Sequence, residues 1–275
     1  MGTSSMYSGY SDGGNPRNPL LPDDFDDSSE NPRDKPELDQ DQDQNNNPKK
    51  EIPKDNTNWQ AVKNAMSRLA SGSSSDIKGT VSKYVRAHGG GKSASKNAIS
   101  GVRTTVNLGN FLSSASTEGL KETLQNYKID YENKSISEVL NNLVNFLTPT
   151  PVTKEDSIAR KALIVTMEKL YELIEKENIS IELIEKLDGN SLNQIIPLYV
   201  ESYIYERLIN DLGSRIEENS INSNNAVKLE KDLKEYIISK VEITFRGKDL
   251  STISFDKKEV ESLYNQCYNV MEDLI

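Results

Sequence analysis

The sequence predicts an all-α fold, a multi-helix body preceded by a disordered acidic N-terminal arm. Apolar residues recur at helical spacing from Asn58 onward, whereas residues 23–55 contain almost no apolar side chains. Such a segment cannot offset the entropy cost of ordering, roughly 1–2 kcal/mol per residue. We therefore divide the chain into an N-terminal arm (1–57), a basic helical segment (58–115) and an acidic helical body (116–275).

Caps and glycines mark the helices of the basic segment. A first helix begins at Asn58 and stops near Gly72, a second covers 76–87, and a third covers 93–114. The third helix carries small residues four apart, which would let another helix approach closely. These residues are Gly101, Thr105 and Gly109.

The acidic body is also predicted to be helical. Capping-box-like pairs precede three apolar stripes: Ser135 with Glu138, Thr153 with Asp156, and Asp256 with Glu259. Further helices are expected over 154–177, 191–218, 226–245 and 257–274. Pro197 should kink or split the second of these. Residues 241–255 alternate as a strand does, so a short hairpin is an alternative there.

Charge is separated along the chain. Residues 23–55 carry a net charge of −7, residues 56–117 carry +7, and residues 118–275 carry −10. Such separation indicates that different segments meet different surfaces.

Residue counts argue against an enzyme. His88 is the only histidine and Cys267 the only cysteine, so neither a zinc site nor a disulfide is expected. His88 precedes three glycines in what we expect to be a mobile turn, which suits a catalytic base poorly. We expect Cys267 to be a small buried residue. With no metal, no cofactor, no membrane span and no secretory signal expected, we predict a cytoplasmic protein without catalysis.

Residues 88–92 (HGGGK) allow two interpretations. They fit a glycine-rich hinge between two helices, and they also resemble a loop that cradles phosphate. The spacing is not that of a P-loop.

The basic segment also allows two interpretations. Its cations could bind a protein partner or the chain's own carboxylates, or residues 59–103 could form a nucleic-acid sensor. The whole-chain pI of about 4.9 favours the former. The candidate surface residues are Arg68, Tyr84, Arg86, His88, Gly89, Gly90, Lys92 and Arg103.

The arm contains a candidate reactive end and a candidate anchor. Removal of Met1 would expose the α-amine of Gly2, whose pKa of about 7.7–8 leaves a neutral fraction near pH 7. Pro19-Leu20-Leu21-Pro22 is an apolar motif suited to docking on a partner. The remaining candidate partner-binding residues are Thr3, Ser4, Ser5, Tyr7 and Phe25.

Taken together, these residues resemble the QatB family of the bacterial Qat anti-phage system. The resemblance is densest in the first 110 residues or so. The residues that carry it are Met1-Gly2-Thr3-Ser4-Ser5, Tyr7, Pro19-Leu20-Leu21-Pro22, Asp24-Phe25, Ser67-Arg68-Leu69-Ala70-Ser71-Gly72, Tyr84-Val85-Arg86-Ala87-His88-Gly89-Gly90, Gly101 and Ala159-Arg160.

The resemblance implies a place in a four-component bacterial antiviral defence system. Its other members are a P-loop ATPase, a TatD-like nuclease and an enzyme similar to QueC, which converts a carboxy-deazaguanine to a nitrile. QueC-type chemistry activates a carboxylate with ATP for attack by an amine. The resemblance therefore implies a non-enzymatic adaptor or substrate protein whose tail docks into the QueC-like enzyme, with Gly2 as the candidate acceptor.

Overall fold

The computed structural model describes residues 54–148, 150–176 and 189–272, all within one compact unit. Every described element is helical. The helices are α1 (Lys54–Ala70), α2 (Ile77–Ala87), α3 (Gly91–Lys96), α4 (Ile99–Thr117), α5 (Leu120–Asn126), α6 (Ile136–Leu147), α7 (Lys154–Lys176), α8 (Gly189–Asn219), α9 (Ser223–Phe245) and α10 (Lys257–Glu272), with a 3-10 turn at Leu250–Thr252. The predicted all-α class is confirmed. None of these helices is long and apolar enough to cross a membrane.

Helices α8 and α10 organise the packing. Helix α8 contacts α1, α4, α7 and α9, and α10 contacts α2, α3, α4 and α9. Their shared core is rich in tyrosine. The fully buried tyrosines are Tyr84, Tyr199, Tyr203, Tyr264 and Tyr268. Cys267 is buried among them as expected, and burial raises the pKa of its thiol to about 12.

The predicted caps begin the helices of the body. Ser135 and Glu138 form a reciprocal capping box at α6. The Asp156 backbone N–H donates to Thr153 Oγ1 while the Thr153 N–H donates to Asp156 Oδ2. The Glu259 N–H donates to Asp256 Oδ1 at α10. Local sequence therefore fixes these starts.

The small residues of α4 lie against aromatic rings. A Cβ atom on Gly101 would lie 2.5 Å from Cζ of Tyr203, and one on Gly109 would lie 2.1 Å from Cδ1 of Phe255. Thr105 is hydrogen-bonded to Tyr264 at 3.0 Å. The stripe thus accommodates aromatic side chains of the acidic body, a close approach of the kind the spacing predicts.

Four sequence predictions require correction. Helix α1 begins at Lys54, four residues before Asn58. The single helix expected over 93–114 is two helices, α3 and α4. Of the two outcomes predicted for Pro197, a kink or a split, the split is wrong, because the residue lies inside the single helix α8. Residues 241–255 form the end of α9 and a 3-10 turn, so the hairpin alternative is wrong.

The break between α3 and α4 has a tertiary cause. In a continuous helix the Ala94 carbonyl would accept the Ala98 N–H. Instead it accepts a hydrogen bond from Arg207 Nη1 at 3.0 Å, and the Ala98 N–H donates to the Ser95 carbonyl. A side chain 113 residues away therefore takes the carbonyl that would have continued the helix.

Asp156 joins the basic segment to the acidic body. Its carboxylate accepts hydrogen bonds from Ser100 Oγ at 2.7 Å and from Arg103 Nη2 at 2.6 Å, both on α4. The same carboxylate caps α7 through the Thr153 N–H. These donors, led by the Ser100 and Thr153 hydrogen bonds, hold the pKa of Asp156 well below its usual value.

Replacing Asp156 with Asn should lower the free energy of unfolding at pH 7 by about 1–3 kcal/mol, because Ser100, Arg103 and Thr153 lose a charged hydrogen-bond acceptor. A depressed carboxyl pKa contributes stability that is complete above the unfolded value and is lost as pH falls through the folded one. The difference between wild type and Asp156→Asn should therefore shrink in strong acid. Urea unfolding across pH measures it.

The matched control for Asp156 is Asp130→Asn, which removes an exposed carboxylate paired only with Lys134 on a surface. Its cost should stay under about 0.5 kcal/mol. Equal costs for the two substitutions would contradict the role given to Asp156.

Glu201 of α8 should make stability depend on pH in the opposite sense. Burial, and then the charge of Glu242, raise its pKa to about 7. The folded state therefore binds this proton more tightly than the unfolded state, whose pKa is about 4.3. The contribution of Glu201 to the free energy of unfolding therefore falls as pH rises from about 4.3 to about 7, and above that it is constant.

We expect Glu201→Gln to raise the free energy of unfolding at pH 8 by about 1–2 kcal/mol relative to wild type, and to have little effect at pH 5. Urea titrations at both pH values provide the test. The control is Glu217→Gln, at an exposed residue, which should leave the free energy of unfolding unchanged at both pH values. A mutant no more stable than wild type at pH 8 would refute the assignment.

Candidate functional site

The candidate site is the junction where α2, α3 and α4 meet α8 and α10. Helix α8 supplies Tyr203, Arg207 and Asp211, each four residues from the next; we call them the first ladder. Helix α10 supplies Tyr264, Tyr268 and Glu272 with the same spacing; we call them the second ladder. Residues four apart lie on one face of a helix, so each set can contact successive neighbours.

The first ladder contacts three of the four helices of the basic segment in turn. The Tyr203 ring fills the space over Gly101 of α4. Arg207 donates to the Ala94 carbonyl of α3. Asp211 Oδ2 accepts a hydrogen bond from the Tyr84 hydroxyl of α2 at 2.9 Å. One face of α8 thus sets the positions of α4, α3 and α2.

The second ladder repeats this order. Tyr264 is hydrogen-bonded to Thr105 of α4. Glu272 accepts the Gly91 N–H of α3 at 2.8 Å, and its backbone carbonyl accepts the Ser82 hydroxyl of α2 at 2.8 Å. Tyr268 joins the two ladders, since its hydroxyl accepts a hydrogen bond from Arg207 Nη1 at 3.2 Å.

Arg207 is a buried cation, only 5% exposed. Burial by itself lowers its pKa, but the surrounding tyrosines and Glu155 outweigh that effect and the net shift is upward. Glu155 also accepts a hydrogen bond from the Tyr203 hydroxyl. A buried charge is less costly when it is hydrogen-bonded, and here Nη1 donates to both a carbonyl and a phenol.

Asp211 gathers groups from two other helices, α2 with its C-cap and α7. Besides Tyr84, it lies 3.6 Å from Nε2 of His88 and 3.4 Å from Nζ of Lys154. Burial alone would raise the pKa of its carboxyl, yet the interactions with His88, Tyr84 and Lys154 together lower it. The carboxylate is therefore held ionised as a contact point for α2 and α7.

His88 is fixed in place by its neighbours. Its ring makes edge contacts with Trp59 at 4.9 Å and Tyr84 at 4.7 Å between ring centroids, and its side chain is 12% exposed. The expectation of a mobile turn at this residue is corrected by this packing. Among the described residues, no group of three or more His, Cys, Asp or Glu side chains could hold a metal ion.

The turn formed by His88, Gly89, Gly90 and Gly91 is held by the chain's own carboxylate. Gly89 and Gly90 have φ angles of +87° and +83°, which favour glycine. The Gly91 N–H, which a phosphate cradle would offer to an anion, donates instead to Glu272. This geometry favours the hinge interpretation.

The predicted surface residues fall into three groups. Tyr84 is buried, 1% exposed, so its placement on a binding surface is a correction: its hydroxyl lies on Asp211. Arg86 and Arg103 form ion pairs with Glu272 and Asp156. Arg68 and Lys92 are exposed. The structure brings the glycines, Tyr84, Arg86 and His88 together and places Arg103 on α4.

The arm residues singled out by sequence lie outside the described residues. They are Gly2, Thr3, Ser4, Ser5, Tyr7, Pro19, Leu20, Leu21, Pro22 and Phe25. Sequence reasoning overlooked the ladders, although their four-residue spacing of tyrosine and charge is visible on α8 and α10.

The comparisons with known proteins give one family. A model of the family described as Qat anti-phage system associated protein QatB matches residues 89–274, about two thirds of the chain. The match includes both ladders, the glycines of the turn and the whole of α3 and α4. No curated protein and no solved structure matches the chain significantly. The chain therefore belongs to the QatB family and is a component of the Qat anti-phage defence system.

Proposed function

We propose that this protein is a non-enzymatic adaptor whose folded body presents the N-terminal arm to a QueC-like enzyme of the same system. The observation that supports it most is the use of the basic segment inside the fold. Tyr84, Arg86, His88 and Arg103 are engaged with carboxylates of the acidic body. The basic segment is thereby used to build the body, and we assign recognition of the QueC-like enzyme to the arm.

The proposal assigns docking to the apolar motif at residues 19–22. Burial of Leu20 and Leu21 on a partner would contribute roughly 3–6 kcal/mol before ordering costs. Pro22 biases Leu21 toward extended backbone angles, which suits a groove on a partner. Thr3, Ser4, Ser5 and Tyr7 would then line the path to the enzyme, and Phe25 would add an aromatic contact.

The proposal assigns the chemistry to Gly2. After removal of Met1, the neutral α-amine attacks a carboxyl carbon that the partner has activated with ATP. One amide bond forms, the activating group leaves with its bonding electrons, and the amine nitrogen loses a proton. The Gly2 nitrogen takes the place of ammonia, and the partner supplies the activated carboxylate. The P-loop ATPase and the TatD-like nuclease are proposed as further partners in the same bacterial cytoplasm.

The alternative of a nucleic-acid sensor built on residues 59–103 has less support. Of its aromatic and arginine side chains, Tyr84, Arg86 and Arg103 are used internally. Trp59 packs on Tyr84 and His88, and Arg68 is exposed.

The modification is tested by intact mass. Co-expression with the QueC-like enzyme and its substrate pathway should add the mass of the carboxylic acid, less one water, at the N-terminus. Gly2→Leu should retain Met1 and show no addition, whereas Gly2→Ala keeps a small residue and should still be modified. An unchanged mass for wild type would remove the covalent step and leave the adaptor role standing.

Docking is tested separately. Leu20→Asp combined with Leu21→Asp should weaken binding to the QueC-like enzyme at least about tenfold, since two apolar contacts are lost. The control is Asn45→Asp with Asn46→Asp, which adds the same charge elsewhere in the arm. If both pairs bind alike in calorimetric titrations, the motif is not the anchor.

A further inference from the structure

A basic groove lies between α3 and α10, apart from the contacts of the ladders. It has a volume of about 510 Å³ and is open to solvent. Its lining residues are Lys92, Ser95, Lys257, Lys258, Glu261, Ser262 and Asn265, and we call it the lysine groove. Lys92, Lys257 and Lys258 are exposed, and within the described part of the chain none of the three has an ion-pair partner. Two separate helices thus place three lysines on one groove, against the single carboxylate of Glu261.

The polar groups beside the lysines are also available. Ser262 only accepts a hydrogen bond, from Gln266 at 3.3 Å, so its hydroxyl proton is uncommitted. The Oδ1 atom of Asn265 is buried, so this amide lines the groove without offering that atom to a ligand. Lysine, serine and asparagine side chains are the groups that proteins use to contact nucleic-acid phosphates.

The groove lacks the groups needed to read bases. No aromatic side chain lines it, so bases have no surface on which to stack. It contains no arginine for bidentate contact with guanine. A free nucleotide would leave its base without a contact, whereas a polymer can place consecutive phosphates along an open groove. The chemistry therefore favours a phosphate backbone.

We propose that the lysine groove binds the phosphate backbone of nucleic acid without reading its sequence. This inference does not depend on the adaptor role or on the arm. It places nucleic-acid contact on α3 and α10, where Lys92 and Ser95 are the lining residues that belong to the segment 59–103. Glu261 is the carboxylate within the groove, and it opposes binding.

The opposing charges give a test in two directions. Fluorescence anisotropy with a labelled duplex of about 20 base pairs should show binding at about 50 mM KCl that weakens steeply by about 200 mM. Three lysines predict a slope of log K against log salt of about −2 to −3. The triple variant Lys92→Gln, Lys257→Gln, Lys258→Gln should lose at least about tenfold in affinity and flatten the slope. Glu261→Gln should bind about two- to fivefold more tightly.

The matched control removes three exposed lysines outside the groove, as Lys121→Gln, Lys228→Gln, Lys231→Gln. It carries the same change in net charge and should keep the affinity and slope of wild type. A control variant that loses as much as the groove variant, a wild type that does not bind at low salt, or an unchanged Glu261→Gln would each overturn the proposal. So would polyglutamate displacing the duplex at equal charge concentration, since that result would indicate an acidic protein ligand.

Discussion

The placement of α2, α3 and α4 depends on one repeated interaction, in which polar side chains at four-residue spacing on α8 and α10 meet those helices in order. Tyr203, Arg207 and Asp211 reach α4, α3 and α2 from one side. Tyr264, Tyr268 and Glu272 reach the same junction from the other. Because Arg207 bonds to Tyr268, the two ladders form one network. Such a buried network specifies a single arrangement when its members are satisfied.

This network explains features that otherwise look unrelated. Arg207 ends α3 by taking the Ala94 carbonyl, which forces the chain to start a new helix at Ile99. The Glu272 carboxylate stabilises the glycine turn by accepting a hydrogen bond from the Gly91 N–H. Gly101 must lack a side chain because the Tyr203 ring occupies that space. The charge separation seen in the sequence therefore has a role within the fold, because arginines of the basic segment form ion pairs with carboxylates of the acidic body.

Local chemistry in the sequence predicted the helical class and many helix starts. Ser135, Thr153 and Asp256 each accept the backbone N–H of the residue three positions later, as the sequence predicts. The pairing of Arg86 and Arg103 with body carboxylates also followed from their position beside apolar stripes. The break at residues 97–98 could not be predicted, because its cause is a side chain on a distant helix. Tyr84 was misplaced for the same reason: its partner, Asp211, lies 127 residues away.

A double-mutant cycle on Tyr84 and Asp211 tests the central claim most directly. Unfolding free energies in urea would be measured for wild type, Tyr84→Phe, Asp211→Ala and the double variant. A hydrogen bond from a buried tyrosine to a partly buried carboxylate predicts a coupling energy of about 1–2 kcal/mol between the two positions. Strictly additive effects, with a coupling energy of zero within error, would contradict the claim that the ladder on α8 holds α2 in place.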